Sequence, residues 1–222
     1  MKYKNKSIQV SCDGGAATGK STGAKLIANK YKLKFLSSGL LYRYAALSII
    51  KGKPKNRINF LKKKFKNLKL INLKSLSLQA PNVSKFSAEI AKIKKIRQIL
   101  KKYQVDFSKK FKNCCIEGRD ISTNILPKSD VKFFFVCNLN LAVMRRYKDL
   151  KKINTKLYLK DVKKALRIRN SLDKKRKNSP LLKHRDSVVI DTGKLDKQAM
   201  LVKMSKTVER ALKNKYGNRT RN

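Results

Sequence analysis

Short apolar runs alternate with amphipathic stretches along this chain, and the spacing predicts helices that cross between parallel strands. Residues 7–12 read as a first strand, 22–30 as a first helix and 33–36 as a second, short strand. A helix fits 40–50, and further strands fit 114–116, 131–136 and 187–190. The run 131–136 is nearly all apolar, as a strand covered on both faces should be. Residues 196–214 read as a closing helix. The fold class that follows is α/β, three layers with a central parallel sheet.

Two segments break the rhythm. Between residues 52 and 81 the chain is Lys-rich around the alternating runs 68–71 and 75–78, which predicts a small inserted hairpin. Residues 151–177 are dense in charge and read as two helical pieces of a mobile flap. The tail 215–222 reads as disordered, and the whole is expected to be one globular domain over 1–222.

Charge changes the picture less than its size implies. Lys and Arg total 58 against 13 acidic residues, a formal net charge of +45. A nucleic-acid binder concentrates its cations on one face and interleaves aromatics for stacking, whereas here Lys runs through nearly every surface segment. No dedicated nucleic-acid partner is therefore expected, although anionic substrates will be attracted. No apolar run is long enough for a signal peptide or a membrane span, so a cytoplasmic protein without a membrane partner is expected. Cys12, Cys114, Cys115 and Cys137 lie in or beside apolar runs without C-x-x-C spacing, the pattern of reduced, buried thiols.

The sharpest chemical signal is Gly14-Gly15-Ala16-Ala17-Thr18-Gly19-Lys20-Ser21, a G-x-x-x-x-G-K-[ST] string set between an apolar strand and a helix that opens at Thr22. This is a phosphate-binding P-loop. Backbone N–H groups wrap the β-phosphate, Lys20 neutralises charge between the β- and γ-phosphates, and the Ser21 hydroxyl ligates Mg²⁺. Ala17 puts a Cβ where the backbone approaches phosphate closely. A P-loop alone does not separate a small-molecule kinase from other nucleotide-dependent proteins.

Three further strings narrow the choice. Ser38-Gly39 follows the second strand, with Arg43 about one helical turn on; this can hold an acceptor phosphate, or it is an N-capped helix with a surface Arg. Glu117-Gly118-Arg119-Asp120 follows the buried strand 114–116, at the carboxyl edge where α/β sheets place ligands. There Arg119 can grip a phosphate and Asp120 can accept from an amine such as that of cytosine, or the two form a structural pair. Arg169, Asp173 and Arg176 fall on one helical face before Ser179-Pro180-Leu181, a binding surface or a solvated face of ion pairs.

Together these strings resemble the bacterial cytidylate kinases. The resemblance rests on Asp13-Gly14 with the P-loop, Ser38-Gly39-x-x-Tyr42-Arg43, Gly118-Arg119-Asp120-Ile121, residues 145–150, Arg169-x-x-x-Asp173-x-x-Arg176-x-x-Ser179-Pro180-Leu181, and Ile190-Asp191-Thr192. It implies phosphoryl transfer from MgATP to CMP or dCMP, with ATP held by the P-loop through Thr22. It further implies that Ser38, Arg97, Asp120 and Arg176 surround the cytosine, that Arg43 and Arg119 take the acceptor phosphate, and that Arg169 and Asp173 contact the ribose. Lys20, Arg119, Arg169 and Arg176 are then the catalytic cations, 52–85 the nucleotide-binding insert and 151–177 the lid. A monomer is expected. Without the resemblance Arg97 would pass as one more surface cation. The chain departs from the family pattern at Ser37, Glu117 and Asn170, each in place of Asp, and at Ala88 in place of a serine. The rival readings are another P-loop kinase, acting on UMP, AMP or shikimate, and a basic nucleic-acid-binding protein with a vestigial P-loop.

Overall fold

The computed structural model describes residues 6–152 and 156–217. They fall into two compact units, one made of the chain up to Leu36 and from Phe111 onward, the other of Ser37–Lys110.

The first unit is built on a five-stranded parallel sheet. Its strands are β1 (Gln9–Gly14), β2 (Lys34–Ser37, whose last residue begins the second unit), β3 (Cys114–Gly118), β4 (Val131–Val136) and β5 (Val188–Asp191), in the spatial order β2-β3-β1-β4-β5. The expected α/β class holds. The central β1 runs two residues past its predicted end, because Asp13 and Gly14 stay in register with Gly118 of β3 and Phe135 of β4. Period-two alternation sends Val10 and Cys12 of β1, Cys115 of β3 and Phe133 and Phe135 of β4 to one face. There α1 (Lys20–Lys30) and α8 (Lys197–Tyr216) cover them with Ile27, Met200, Met204 and Val208. Losing either phenylalanine ring from such a core costs about 3–5 kcal/mol.

Local chemistry sets the helix ends. Asp196 caps α8, accepting from Ala199 N at 2.7 Å. That helix continues to Tyr216, so Lys215 and Tyr216 belong to it and not to a disordered tail. Lys215 pairs with Asp130 at 2.8 Å and the Tyr216 hydroxyl donates to Ser7 O. Residues 218–222, the rest of that expected tail, lie outside the described residues. Asn138 caps α6 (Leu139–Lys151), which packs Ala142 and Val143 against Val162 and Leu166 of α7 (Leu159–Lys175) and against Ala16 of the P-loop. Among the described residues of the lid stretch 151–177 there is one long helix, α7, in place of two pieces; residues 153–155 lie outside the description.

The second unit is helical: α2 (Ser38–Gly52), α3 (Arg57–Lys66), α4 (Pro81–Ile90) and α5 (Lys94–Lys110), with short 3₁₀ turns at Leu70–Lys74 and Leu76–Gln79. The hairpin expected here does not form. The buried positions are Leu68, Leu73 and Leu78, spaced five apart, so neither short run presents one face at period two, and Ile71 and Leu76 point outward, 61% and 88% exposed. Local bonds from Asn72 N to Lys69 O and from Leu78 N to Ser75 O close turns instead. Tyr44, Phe65 and Tyr103 stack edge to face across α2, α3 and α5, with centroids 5.8 and 5.7 Å apart. Among the described residues no helix is long and apolar enough to cross a membrane.

Candidate active site

The P-loop joins the carboxyl end of β1 to the first turn of α1. Gly14, at φ 156°, lies so close to β4 that an added Cβ would stand 2.6 Å from Phe135 O. Gly19 turns the chain into α1 at φ 75°. No side chain caps α1, and its first turn holds no acidic residue. Its N-terminal amides and positive dipole end are thus set for an anion. Ala17 adopts φ 59°, a left-handed conformation unusual for a residue with a Cβ. Ser21 is exposed in the first helical turn. Lys20 is buried, and burial drives its pKa down while Glu117, at 2.6 Å, works against that.

Because Asp13 of β1 is paired with Gly118 of β3, the Arg119-Asp120 turn begins beside the P-loop, at the same carboxyl edge. Asp13 is fully buried. Its Oδ1 accepts from Ile121 N at 2.8 Å, and its Oδ2 from Ser122 N and Ser122 Oγ at 2.7 and 2.6 Å. Burial raises the Asp13 pKa, and the bonds from Ser122 and Ile121 pull against the rise.

The structure brings Arg119, Asp120, Asp173 and Arg176 into one cluster. Arg119 Nε lies 2.8 Å from Asp173 Oδ2, Arg176 Nη2 lies 3.5 Å from Asp120 Oδ1, and Arg176 Nη1 lies 3.6 Å from Asp173 Oδ1. Burial works to raise the Asp173 pKa, but Arg119, Arg169 and Arg176 overcome it and hold the carboxyl below 3.8. Arg176 stands just past the end of α7 as its C-cap, where Ser179 O accepts from its Nε. Neighbouring Asn124 was not singled out from the sequence; its amide donates to Asp120 Oδ2 at 3.2 Å and to Ser179 Oγ at 2.9 Å. Asn170 of α7 accepts from the P-loop amide of Ala16 at 3.1 Å. On the far side of the loop, Thr192 Oγ1 donates to Thr18 O at 3.0 Å and accepts from Arg145 Nη1 at 2.7 Å.

In the second unit, Ser37 and not Ser38 caps α2, accepting from Leu40 N at 3.4 Å. Ser38 is buried in the first helical turn. Arg43 donates to Gln79 Oε1. Arg97, expected on the surface from sequence alone, is only 7% exposed; it donates to Ala91 O and lies 5.7 Å from the Tyr42 ring centroid. Ser87, beside Ala88, turns its hydroxyl back to Ser84 O.

Residues 10–210 match the family model described as cytidylate kinase. The chain belongs to the cytidylate kinase family. Relatives named cytidylate kinase include that of Rickettsia africae (strain ESF-5), 34% identical across 86% of this chain and 87% of the relative. That of Clostridium tetani (strain Massachusetts / E88) is 34% identical across 96% and 99%. Among solved structures, an uncharacterized protein from Eubacterium ventriosum (TM-score 0.52, 15% identity, 91% of this chain and 98% of that one) shares the fold. So does TT1252 from Thermus thermophilus (TM-score 0.50, 17% identity, 93% and 98%). Membership in the cytidylate kinase family makes this protein a phosphotransferase that acts on a nucleoside monophosphate.

Proposed function

We propose that this enzyme transfers the γ-phosphoryl group of MgATP to CMP or dCMP, giving ADP and the diphosphate. The observation that carries the reading is the Arg119–Asp173–Arg176–Asp120 cluster, which opens from the same sheet edge as the P-loop. Two guanidiniums and two carboxylates suit an acceptor that carries both a phosphate and an amine.

On the donor side, the loop from Gly14 to Thr22, with the end of α1, holds the triphosphate, and Lys20 moves from Glu117 to the β- and γ-phosphate oxygens. The exposed Ser21 hydroxyl offers one oxygen donor, which fits a hard cation that takes its other ligands from phosphate and water. Mg²⁺ held at Ser21 would supply charge neutralisation to the bound triphosphate. On the acceptor side, Arg119 takes the phosphate, Asp120 accepts from the cytosine amine beside Arg176, and Arg169 and Asp173 hold the ribose. Ser38 and Arg97 are assigned to the base and Arg43 to the acceptor phosphate. The acceptor phosphate is already anionic at neutral pH, so no strong general base is needed. Positioning and electrostatics by Lys20, Arg119, Arg169 and Arg176 supply the catalysis.

The test is ADP release in a coupled assay with CMP, dCMP, UMP and AMP as acceptors. CMP and dCMP are expected to turn over with kcat/KM at least about tenfold above UMP and AMP. Equal efficiency with UMP removes Asp120 from the base-reading role, and preference for AMP overturns the assignment.

A further inference from the structure

We propose that Asp13 is a positioning residue for the acceptor, acting through the turn that carries Arg119 and Asp120; this rests on the acceptor reading above. Ile121–Ile125 forms a single π-helical turn, and Asp120 is the residue at its N-cap. An aspartate there ordinarily turns its carboxylate back onto the first amides of its own turn. Asp120 makes no such capping bond. Asp13 does the capping instead, from a neighbouring strand: its two oxygens take Ile121 N, Ser122 N and Ser122 Oγ at 2.6–2.8 Å. The Asp120 carboxylate thereby engages Asn124 and Arg176.

The burial of Asp13 argues against simple packing. The residue is 0% exposed. Sequestering a carboxylate is expensive even with the Lys20 charge nearby, and an apolar side chain at the end of β1 would pack without that cost. What the carboxylate supplies is a cap whose position is fixed by the sheet. Asp13 is held between β3 and β4 by the strand pairing of β1, so its carboxylate gives the 119–122 turn an anchor set by the sheet. Loss of the cap should leave the donor site nearly intact and displace Asp120, which then caps its own turn.

The experiment compares wild type with Asp13→Asn and Ser122→Ala. It measures kcat and KM for ATP, CMP and UMP, and amide hydrogen exchange by mass spectrometry. Asp13→Asn directs an NH₂ group at donors. It is expected to lower the CMP-over-UMP ratio of kcat/KM by about tenfold or more, with the KM for ATP within about twofold. Exchange should quicken at residues 119–125 and stay unchanged in 14–21. Ser122→Ala removes one of the three bonds and keeps the charge, so a smaller shift of the same kind, about threefold, is expected even where the Asn variant fails to fold. An unchanged CMP-over-UMP ratio in both variants, with only thermal stability lowered, overturns the proposal. So does an equal fall in donor and acceptor parameters. If the wild type itself phosphorylates neither CMP nor UMP, the acceptor reading has failed; unchanged exchange at 119–125 in Asp13→Asn would then refute the positioning role independently.

Discussion

Lys20 Nζ lies 2.6 Å from Glu117 Oε2, and the two side chains are only 7% and 5% exposed. The P-loop lysine is therefore held by a carboxylate of the adjacent strand inside a nearly closed site. Removing one partner of a buried pair strands the other charge, which costs about 3–5 kcal/mol, whereas replacing both by apolar groups of similar volume is often neutral. Lys20→Ala is expected to lower kcat by at least about a hundredfold and to destabilise the protein by about 3 kcal/mol in urea. The double variant Lys20→Met, Glu117→Leu should recover most of that stability and none of the activity. Near-normal turnover by Lys20→Ala would sink the assignment of the loop.

Asp173 gives the cluster a pH signature. Its carboxyl titrates below 3.8 in the folded protein because Arg119, Arg169 and Arg176 outweigh the opposing effect of burial. A carboxyl with a depressed folded pKa contributes stability that is fully present above its unfolded pKa. That contribution is lost as pH falls through the folded value. Wild type should exceed Asp173→Asn in unfolding free energy by about 1–3 kcal/mol at pH 7. The gap should stay level down to about pH 5 and close below 3.8. Urea titrations at pH 7, 5 and 3.5 decide this. A gap that widens toward pH 3.5 contradicts it.

The elements that sequence alone makes legible are those whose own residues dictate them. The 131–136 run is apolar but for Lys132 because it is covered on both faces, and the P-loop string carries glycine at positions 14 and 19, whose backbone conformations side chains rarely adopt. The 52–81 segment misleads because Lys and Leu alternate in short stretches that satisfy strand and helix patterns alike, and burial at Leu68, Leu73 and Leu78 decides the matter only after packing. Arg97 is hidden for a related reason: charge predicts exposure, and only the fold supplies the Tyr42 ring and the Ala91 carbonyl that allow it inside. The bonds from Asp13 to Ile121 and Ser122 span 108 and 109 positions, and no local pattern announces contacts of that range.

Ala17 is a position where the chain carries backbone strain. At φ 59° an alanine gives up about 1–2 kcal/mol relative to a right-handed conformation. Glycine would relieve that, at the cost of about 0.4–1 kcal/mol of unfolded-state entropy and part of a buried methyl group, since Ala17 packs against the cluster of α6 and α7. Ala17→Gly should therefore raise stability by about 0.5 kcal/mol, or about 1–2 °C in Tm for a chain of this size. A lower Tm in thermal melts would show that the methyl contact outweighs the strain.

Thr192 is the counterpart of Asp13 on the donor side. Its hydroxyl donates to Thr18 O at 3.0 Å and accepts from Arg145 Nη1 at 2.7 Å, while Arg145 Nη2 donates to Thr192 O at 2.9 Å. The carbonyl of Thr18 belongs to the loop to which the donor phosphates are assigned above, so this hydroxyl ties that loop to Thr192. Thr192→Val keeps the shape and removes the hydroxyl, which deprives Thr18 O of a donor and Arg145 of an acceptor in a buried place, a loss of about 1–3 kcal/mol. The KM for ATP is expected to rise by about three- to tenfold, with the KM for CMP within about twofold, the reverse of the pattern expected for Asp13→Asn. Steady-state kinetics with each substrate varied in turn measure both. Equal effects on the two substrates would mean that Thr192 supports the fold as a whole and does not hold the donor loop in particular.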